Sequence, residues 1–300
     1  KGNQTRGSLV SELTERYYGL VLALQVVEVR RQVLEGMQHH LSDAKALEAN
    51  GIIAKGERLY AEVHTAEAER ELLKAQKTVE TLYSALSNTL GGDESTYIPA
   101  TSMFILNDIE SVSYFKDLAK QHSPLLKQVG YKKQLATENM RLQRADFAPQ
   151  VALTGMAAFY NYQVSPIIPK WAVGAGVSLK IFDGLNREYK FSAAKSQIRQ
   201  VEAVGHQAES DILTLIDKLY NEMVTYSQQL PSVNASGRFA EEYLRIKEEA
   251  FKEGAAPSSD VVDARLNLAK IRIERLQAAY YYDMMLARLL EACGQSELFP

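Results

Sequence analysis

Apolar residues recur at alternating steps of three and four along most of the chain. The spacing is clearest over residues 10–41, 68–86, 194–219 and 266–290. A repeat of about 3.5 residues aligns apolar side chains along one stripe of a helix, as in coiled coils. These stretches therefore predict long amphipathic helices that pack against neighbouring helices. Pro231 is expected to interrupt or kink the third of them.

The helical stretches form an internal repeat with an offset of 203 residues, as in the pair Gly51 and Gly254. The terminal glycines Gly91 and Gly294 align at the same offset without a gap. Glycine readily ends a helix because it adopts the left-handed conformation without strain. Each copy therefore predicts a helix, a glycine-centred turn, a second helix and a glycine stop.

Between the two copies, the pattern changes to strict alternation over Pro149–Tyr162 and Trp171–Phe182. Each segment is about the length of a tilted strand that crosses a bilayer, and aromatic residues cluster at the ends. An amphipathic hairpin that covers a soluble core would show the same alternation, so both interpretations stay open here. In a barrel, the lipid-facing residues would be Val151, Leu153, Phe159, Trp171, Val173, Val177 and Leu179.

Two strands cannot close a barrel, and lipid does not tolerate an open sheet edge. A barrel would therefore need strands from other chains and from further sequence. Because Lys1 corresponds to residue 204 in the repeat, a counterpart of residues 92–203 with two more strands is expected upstream.

Composition narrows the possible functions. The net charge is -3 and the pI is about 6.1, which argues against a nucleic-acid partner. Cys293 is the one cysteine, so neither an intramolecular disulfide nor a cysteine-based zinc site is possible. The histidines lack metal-ligand spacing, and no phosphate-binding glycine loop occurs. We therefore expect no metal, no cofactor and no catalytic site.

The predicted fold class is mainly α, with long antiparallel coiled-coil hairpins forming an α-barrel, an internal repeat and a two-strand contribution to a transmembrane β-barrel. The predicted divisions are a first helical hairpin over 1–91, an equatorial segment and helix over 92–145, a strand pair over 146–182, and a second hairpin over 183–300. The alternative is a soluble coiled-coil scaffold without a pore. A third interpretation, an enzyme, is supported only by clustered carboxylates.

Three segments together resemble the TolC family of outer-membrane efflux and secretion channels: FAPQVALTGMAAFYNY, WAVGAGVSLKIFDGLNR and EEAFKEGAAPSSDVVDARLNLAK. The resemblance implies a homotrimer in the outer membrane of a Gram-negative cell, with a shared β-barrel in lipid and a helical tunnel in the periplasm. It implies a passive duct of a tripartite efflux or type I secretion system. Its partners would be a periplasmic adaptor protein and an inner-membrane transporter.

The resemblance also assigns residues to the periplasmic entrance. Asp260 and Asp263 match paired aspartates that line the mouth, and their spacing of three places both on one helix face. Threefold symmetry would then gather carboxylates that attract cations. Helix capping explains Asp260 equally well. Asp263 has no capping role, although a solvated position would also accommodate it.

The hairpin tips carry the expected adaptor contacts. Gly51 and Gly254 match the tips where the adaptor docks, although a plain helix stop explains both glycines. In the family's best-known member, an arginine and a tyrosine on the second hairpin bond to the first hairpin and hold the mouth shut as a latch. The corresponding residues here are Ala256 and Phe251, so that latch is absent. Glu57 sits at the position of its acidic partner. Pairing with Lys55, Arg58 or Lys252, or simple exposure, would also accommodate Glu57.

Overall fold

Long helices and one short β-hairpin make up the computed structural model of the chain, which describes residues 2–91, 99–106, 108–157 and 171–299. The predicted class of long helices with a two-stranded sheet is confirmed. In chain order, the elements are α1 (Gly2–Ala49), α2 (Lys55–Leu90), α3 (Val112–His122), α4 (Pro124–Ala145), β1 (Gln150–Ala157), β2 (Trp171–Ser178), α5 (Asn186–Lys252), α6 (Ser258–Ala292) and a 3-10 helix, α7 (Ser296–Leu298). The chain divides into two compact units, Lys1–Pro124 with Ile212–Pro300, and Leu125–Asp211.

The two central glycines of the repeat end their helices in the same way. Gly51 has a φ of 72° and Gly254 a φ of 73°. The Gly51 N–H donates to the Glu48 carbonyl at 2.9 Å, and the next N–H reaches back to Leu47 at 2.9 Å. The bonds after α5 are equivalent, from Gly254 to Phe251 at 2.9 Å and from Ala255 to Ala250 at 2.8 Å. This is the Schellman arrangement, which satisfies the last carbonyls of each helix.

Small side chains let the helices of the larger unit approach closely. Helix α1 packs against both α2 and α6. Ala44, Ala61 and Ala264 come from these three helices and lie in one buried cluster with Phe251 of α5. Burying Phe251 contributes roughly 1.5–3 kcal/mol to folding. A second cluster along the same helices contains Val29, Val33, Met37, Ala68, Val262 and Ala269.

An irregular segment, residues 99–106, is held to the helices by side-chain acceptors. The Thr101 N–H donates to the Tyr17 hydroxyl at 2.9 Å, and the Leu106 N–H to the Tyr282 hydroxyl at 3.3 Å. The Phe104 N–H donates to the Asp283 carboxyl at 3.3 Å. Burial raises the pKa of Asp283 to about 8, although the Phe104 N–H opposes the shift.

The smaller unit contains the antiparallel pair β1 and β2. Val151 lies opposite Val177, and Gly155 opposite Val173, so the odd-numbered residues of both strands share one face. The other face carries small and polar residues such as Thr154 opposite Gly174.

Helix α5 runs without interruption through Pro231. The interruption expected there is absent, and Pro231 lies on the exposed side of the helix. A proline removes one backbone hydrogen bond there, and residues on both sides of it remain helical.

Candidate functional site at the hairpin ends

Helix α6 begins without a cap from its own sequence. Its N-cap residue, Pro257, offers no side-chain acceptor. Instead, the Glu57 carboxylate of α2 accepts the Ser258 N–H at 2.6 Å. A helix N-terminus presents unpaired N–H groups and a partial positive charge, so a carboxylate is a favourable partner. Glu57 therefore links the two hairpins and is neither paired with the neighbouring lysines and arginine nor simply exposed.

A second link joins His40 of α1 to the same residue of α6. The His40 Nε2 atom lies 2.6 Å from the Ser258 hydroxyl oxygen, and the Phe251 ring lies beside the imidazole with centroids 4.4 Å apart. His40 is only 4% exposed. Burial lowers the pKa of His40 to about 4, the Arg265 cation adds to the shift and the Asp43 carboxylate opposes it. The imidazole is therefore neutral at pH 7.

Arg265 lies beside this pair and is itself half-buried. Its guanidinium forms an ion pair with Glu248 of α5 and occupies the space that a Cβ at Gly36 would fill. A side chain at position 36 would displace the guanidinium. Desolvation lowers the pKa of Arg265, and the Glu248 carboxylate opposes that shift.

A cleft of about 400 Å³ opens beside these residues between α1, α5 and α6. Its charged lining includes Asp43, Glu248, Lys252, Arg265 and Arg272. We call it the tip cleft. It combines both signs of charge with apolar walls.

The two aspartates expected at the entrance lie in different surroundings. Asp260 is in the first turn of α6 and does not cap it. Its Oδ2 accepts a hydrogen bond from the Lys247 Nζ of α5 at 2.6 Å, and this bond is the main cause of the raised pKa of Lys247. Asp263 is exposed and has no ion-pair partner in the described part of the chain. Partial desolvation raises the pKa of Tyr60 on α2, and the Asp263 charge adds to it.

The turns at the hairpin ends lie against each other. A Cβ at Gly254 would come 2.9 Å from the Ile52 Cγ2, whereas a Cβ at Gly51 would meet nothing within 4 Å. Both glycines are exposed. Gly51, Gly254 and Glu57 thus belong to one surface at the ends of the hairpins.

The apolar residues predicted to face lipid lie on an uncovered sheet. Leu153 is 80% exposed and Val173 is 75% exposed, and Val151, Trp171 and Val177 are similarly open. Leu179 is also exposed but lies one residue beyond the end of β2. Phe159 lies outside the described residues. Within those residues, no helix is both long and apolar enough to cross a bilayer.

His40, Ser258, Arg265 and Glu248 were not predicted as functional residues. The histidine pair His39 and His40 lacks metal-ligand spacing. Ser258 lies 218 residues from His40 in the sequence, so local patterns do not link the two. One signal was available in the pattern. The residues at 33, 37, 40 and 44 share one helix face, and the other three are apolar, so His40 occupies a core position.

Comparisons with known proteins agree with this architecture. A sequence profile described as outer membrane efflux protein matches residues 116–295, more than half of the chain. No curated protein was found to match by sequence.

Solved structures match nearly the whole chain in fold. A membrane protein from Pseudomonas aeruginosa has a TM-score of 0.83 at 18% identity, with 97% of this chain and 67% of that chain covered. The outer membrane protein VceC of Vibrio cholerae has a TM-score of 0.81 at 19% identity, with 96% and 70% covered. The open state of the MtrE outer membrane channel of Neisseria gonorrhoeae has a TM-score of 0.79 at 18% identity, with 98% and 67% covered.

The predicted resemblance, fold class, efflux function and outer-membrane location are confirmed by the family match and by the shared fold. The chain belongs to the outer membrane efflux protein family.

Proposed function

We propose that this chain is one subunit of a passive export duct that crosses the outer membrane and extends into the periplasm. The observation that carries the proposal is the β1–β2 hairpin. Its apolar face is uncovered, whereas its other face carries small and polar residues such as Thr154 and Gly174. A sheet with one face in lipid and one face towards water needs this division.

The hairpin requires further strands, because a two-stranded sheet is marginal alone and its edges would be unpaired in lipid. We propose that a homotrimer supplies them. Two apolar rows support this proposal, because each of their side chains stays more than a third exposed within the described residues. The row on α2 contains Leu59, Tyr60 and Val63, and the row on α5 contains Phe239, Tyr243 and Ile246.

The two rows differ in composition, and we propose that each row meets the other row on the next subunit. A contact between two different surfaces generates a closed ring when the rotation between subunits closes. We propose that this ring gathers α6 of each subunit around a common opening. The surface with Gly51, Gly254 and Glu57, which we call the tip surface, would lie at the same opening.

The proposed entrance charge lies mainly on Asp263. Because Lys247 neutralises Asp260, the exposed Asp263 carboxylates of three subunits would form the cation-attracting ring. The proposed partners are a periplasmic adaptor at the tip surface, containing Gly51, Gly254 and Glu57, and an inner-membrane transporter that supplies the energy. The duct itself would carry out no bond chemistry.

The test compares two arginine substitutions on the hairpin in the full-length protein. Val173→Arg places a cation on the apolar face, which costs about 2–4 kcal/mol near the middle of a bilayer. Thr154→Arg places the same cation on the other face, at an exposed position opposite Gly174, which has no side chain. We expect Val173→Arg to abolish trimer recovery from outer membranes and Thr154→Arg to preserve it.

Equal recovery of trimer from both variants would contradict the proposal. It would favour the alternative of a coiled-coil scaffold without a pore, for which neither face needs to enter lipid.

A further inference from the structure

The buried pair His40 and Ser258 ties the first hairpin to the second, next to the apolar cluster that also joins them. Each residue comes from a different hairpin, and the hydroxyl and the imidazole are both nearly inaccessible to water. The Glu57 carboxylate holds the backbone of the same serine, so Ser258 is fixed from two directions. Parting the hairpins would expose the imidazole to water.

The charges around His40 do not favour a second cation there. Arg265 of α6 and Lys252 of α5 line the same cleft as His40, and each has its own acidic partner. Glu248 pairs with Arg265, and Asp43 lies 3.9 Å from the Lys252 Nζ. From α2, Glu57 faces the Ser258 backbone. The Asp43 carboxylate favours an imidazolium, but burial and the Arg265 cation outweigh it.

We propose that the His40–Ser258 pair is a proton-sensitive clasp, which strengthens the junction of the two hairpins while His40 is neutral and weakens it when His40 is protonated. The clasp is a property of the chain itself. Its consequence, a wider channel mouth in acid, rests on the proposed function.

The direction of the pH effect follows from the two pKa values. In the joined state the pKa of His40 is about 4, against 6.5 for an unperturbed histidine. Above about pH 6.5 both states are neutral and the clasp has its full strength. As the pH falls from about 6.5 to about 4, only the separated state takes up a proton, so the joined state loses stability. Below about 4 the loss is complete.

The size of the effect is measurable. Between about pH 7.5 and pH 5, the ratio of separated to joined molecules is expected to rise about 25-fold. A buried cysteine reports this ratio even when separation is rare, because its reaction rate scales with the open fraction.

Two adjacent positions allow a matched measurement. Ala44 is 0% exposed in the cluster between the hairpins, and Lys45 next to it is exposed. The rates at which a dipyridyl disulfide labels Ala44→Cys and Lys45→Cys are measured at both pH values. Their quotient cancels the intrinsic pH dependence of the thiol. The native cysteine, Cys293, is also buried, and its labelling rate in the parent chain is subtracted as background.

The histidine pair supplies the control variants. We expect the quotient to rise about 25-fold on acidification in the parent chain and in His39→Gln, because His39 is exposed. In His40→Gln the quotient stays constant, because the imidazole that takes up the proton is absent. Circular dichroism checks that each variant keeps its helices.

A second variant independently tests the direction of the pH effect on the junction. Ser258→Asp places a carboxylate against the imidazole, so that protonation of His40 strengthens the junction. The quotient then falls on acidification. A constant quotient in the parent chain, a rise that survives in His40→Gln, or a rise in Ser258→Asp would overturn the clasp. Failure of the full-length protein to form a trimer or to conduct ions would instead overturn the proposed function and leave the clasp intact.

Discussion

At the scale of single residues, the ends of the hairpins depend on polar contacts between helices that are distant in sequence. Glu57 supplies the cap that α6 lacks, and His40 bonds the same serine from another helix. Neither contact could be read from the sequence, because each partner is ordinary within its own helix. Only the packing of α1 and α2 against α6 brings them together.

The Glu57 cap can be tested by removing its charge. Glu57→Ala is expected to lower the free energy of unfolding by about 1–2 kcal/mol, because the Ser258 N–H loses a charged acceptor. Urea denaturation followed by circular dichroism measures the change. The matched control is Glu69→Ala on the exposed side of the same helix. If both variants lose equal stability, Glu57 is not the cap of α6.

At the scale of elements, the sequence predicts much of the helical framework. The glycine pairs at an offset of 203 residues locate the turns, and Gly51 and Gly254 have the same left-handed φ and equivalent hydrogen bonds. These features are predictable because a Schellman turn is a local structure with a glycine signature. The uninterrupted helix through Pro231 was not predictable, because a proline inside a helix normally favours a break or a kink.

The repeat provides a matched pair for testing the turns. Alanine at either glycine costs about 1 kcal/mol or more in the left-handed conformation. Gly254→Ala costs more than Gly51→Ala, because its Cβ would lie 2.9 Å from Ile52 whereas position 51 is open. Thermal unfolding of both variants checks the order. Gly254→Ala combined with Ile52→Ala should recover the difference, and a double variant no better than Gly254→Ala alone would refute the steric argument.

At the scale of the whole molecule, the strand pair and the apolar helix rows have no cover within the described chain. Leu153 and Val173 on the strands, like Phe239 on α5, are more than 70% exposed. The alternation of the strands predicted an apolar face, but the sequence alone did not decide whether a core or lipid covers it. We propose lipid as the cover of this face, and the family match supports that proposal. The charge of the entrance was only partly predictable, because the pairing of Asp260 with Lys247 depends on the packing of α5 against α6.

The entrance prediction concerns the assembled channel. In planar bilayers, Asp263→Asn is expected to lower cation over anion permeability by about twofold or more, because each subunit loses an unpaired charge from the mouth. Asp260→Asn has a smaller effect, because Lys247 already neutralises Asp260. Reversal potentials in asymmetric salt measure both. Equal effects of the two variants would show that the Asp260–Lys247 pair does not persist in the channel.

The uncovered face of the β1–β2 hairpin has a consequence for biogenesis. In the proposed assembly, a newly made chain carries this face through an aqueous compartment before it reaches the bilayer. During that journey, the open strand edges can pair with any other unfolded chain, so correct assembly competes with aggregation. A holding chaperone in transit, and a high local supply of sister chains at the membrane, would therefore set the yield of finished channels.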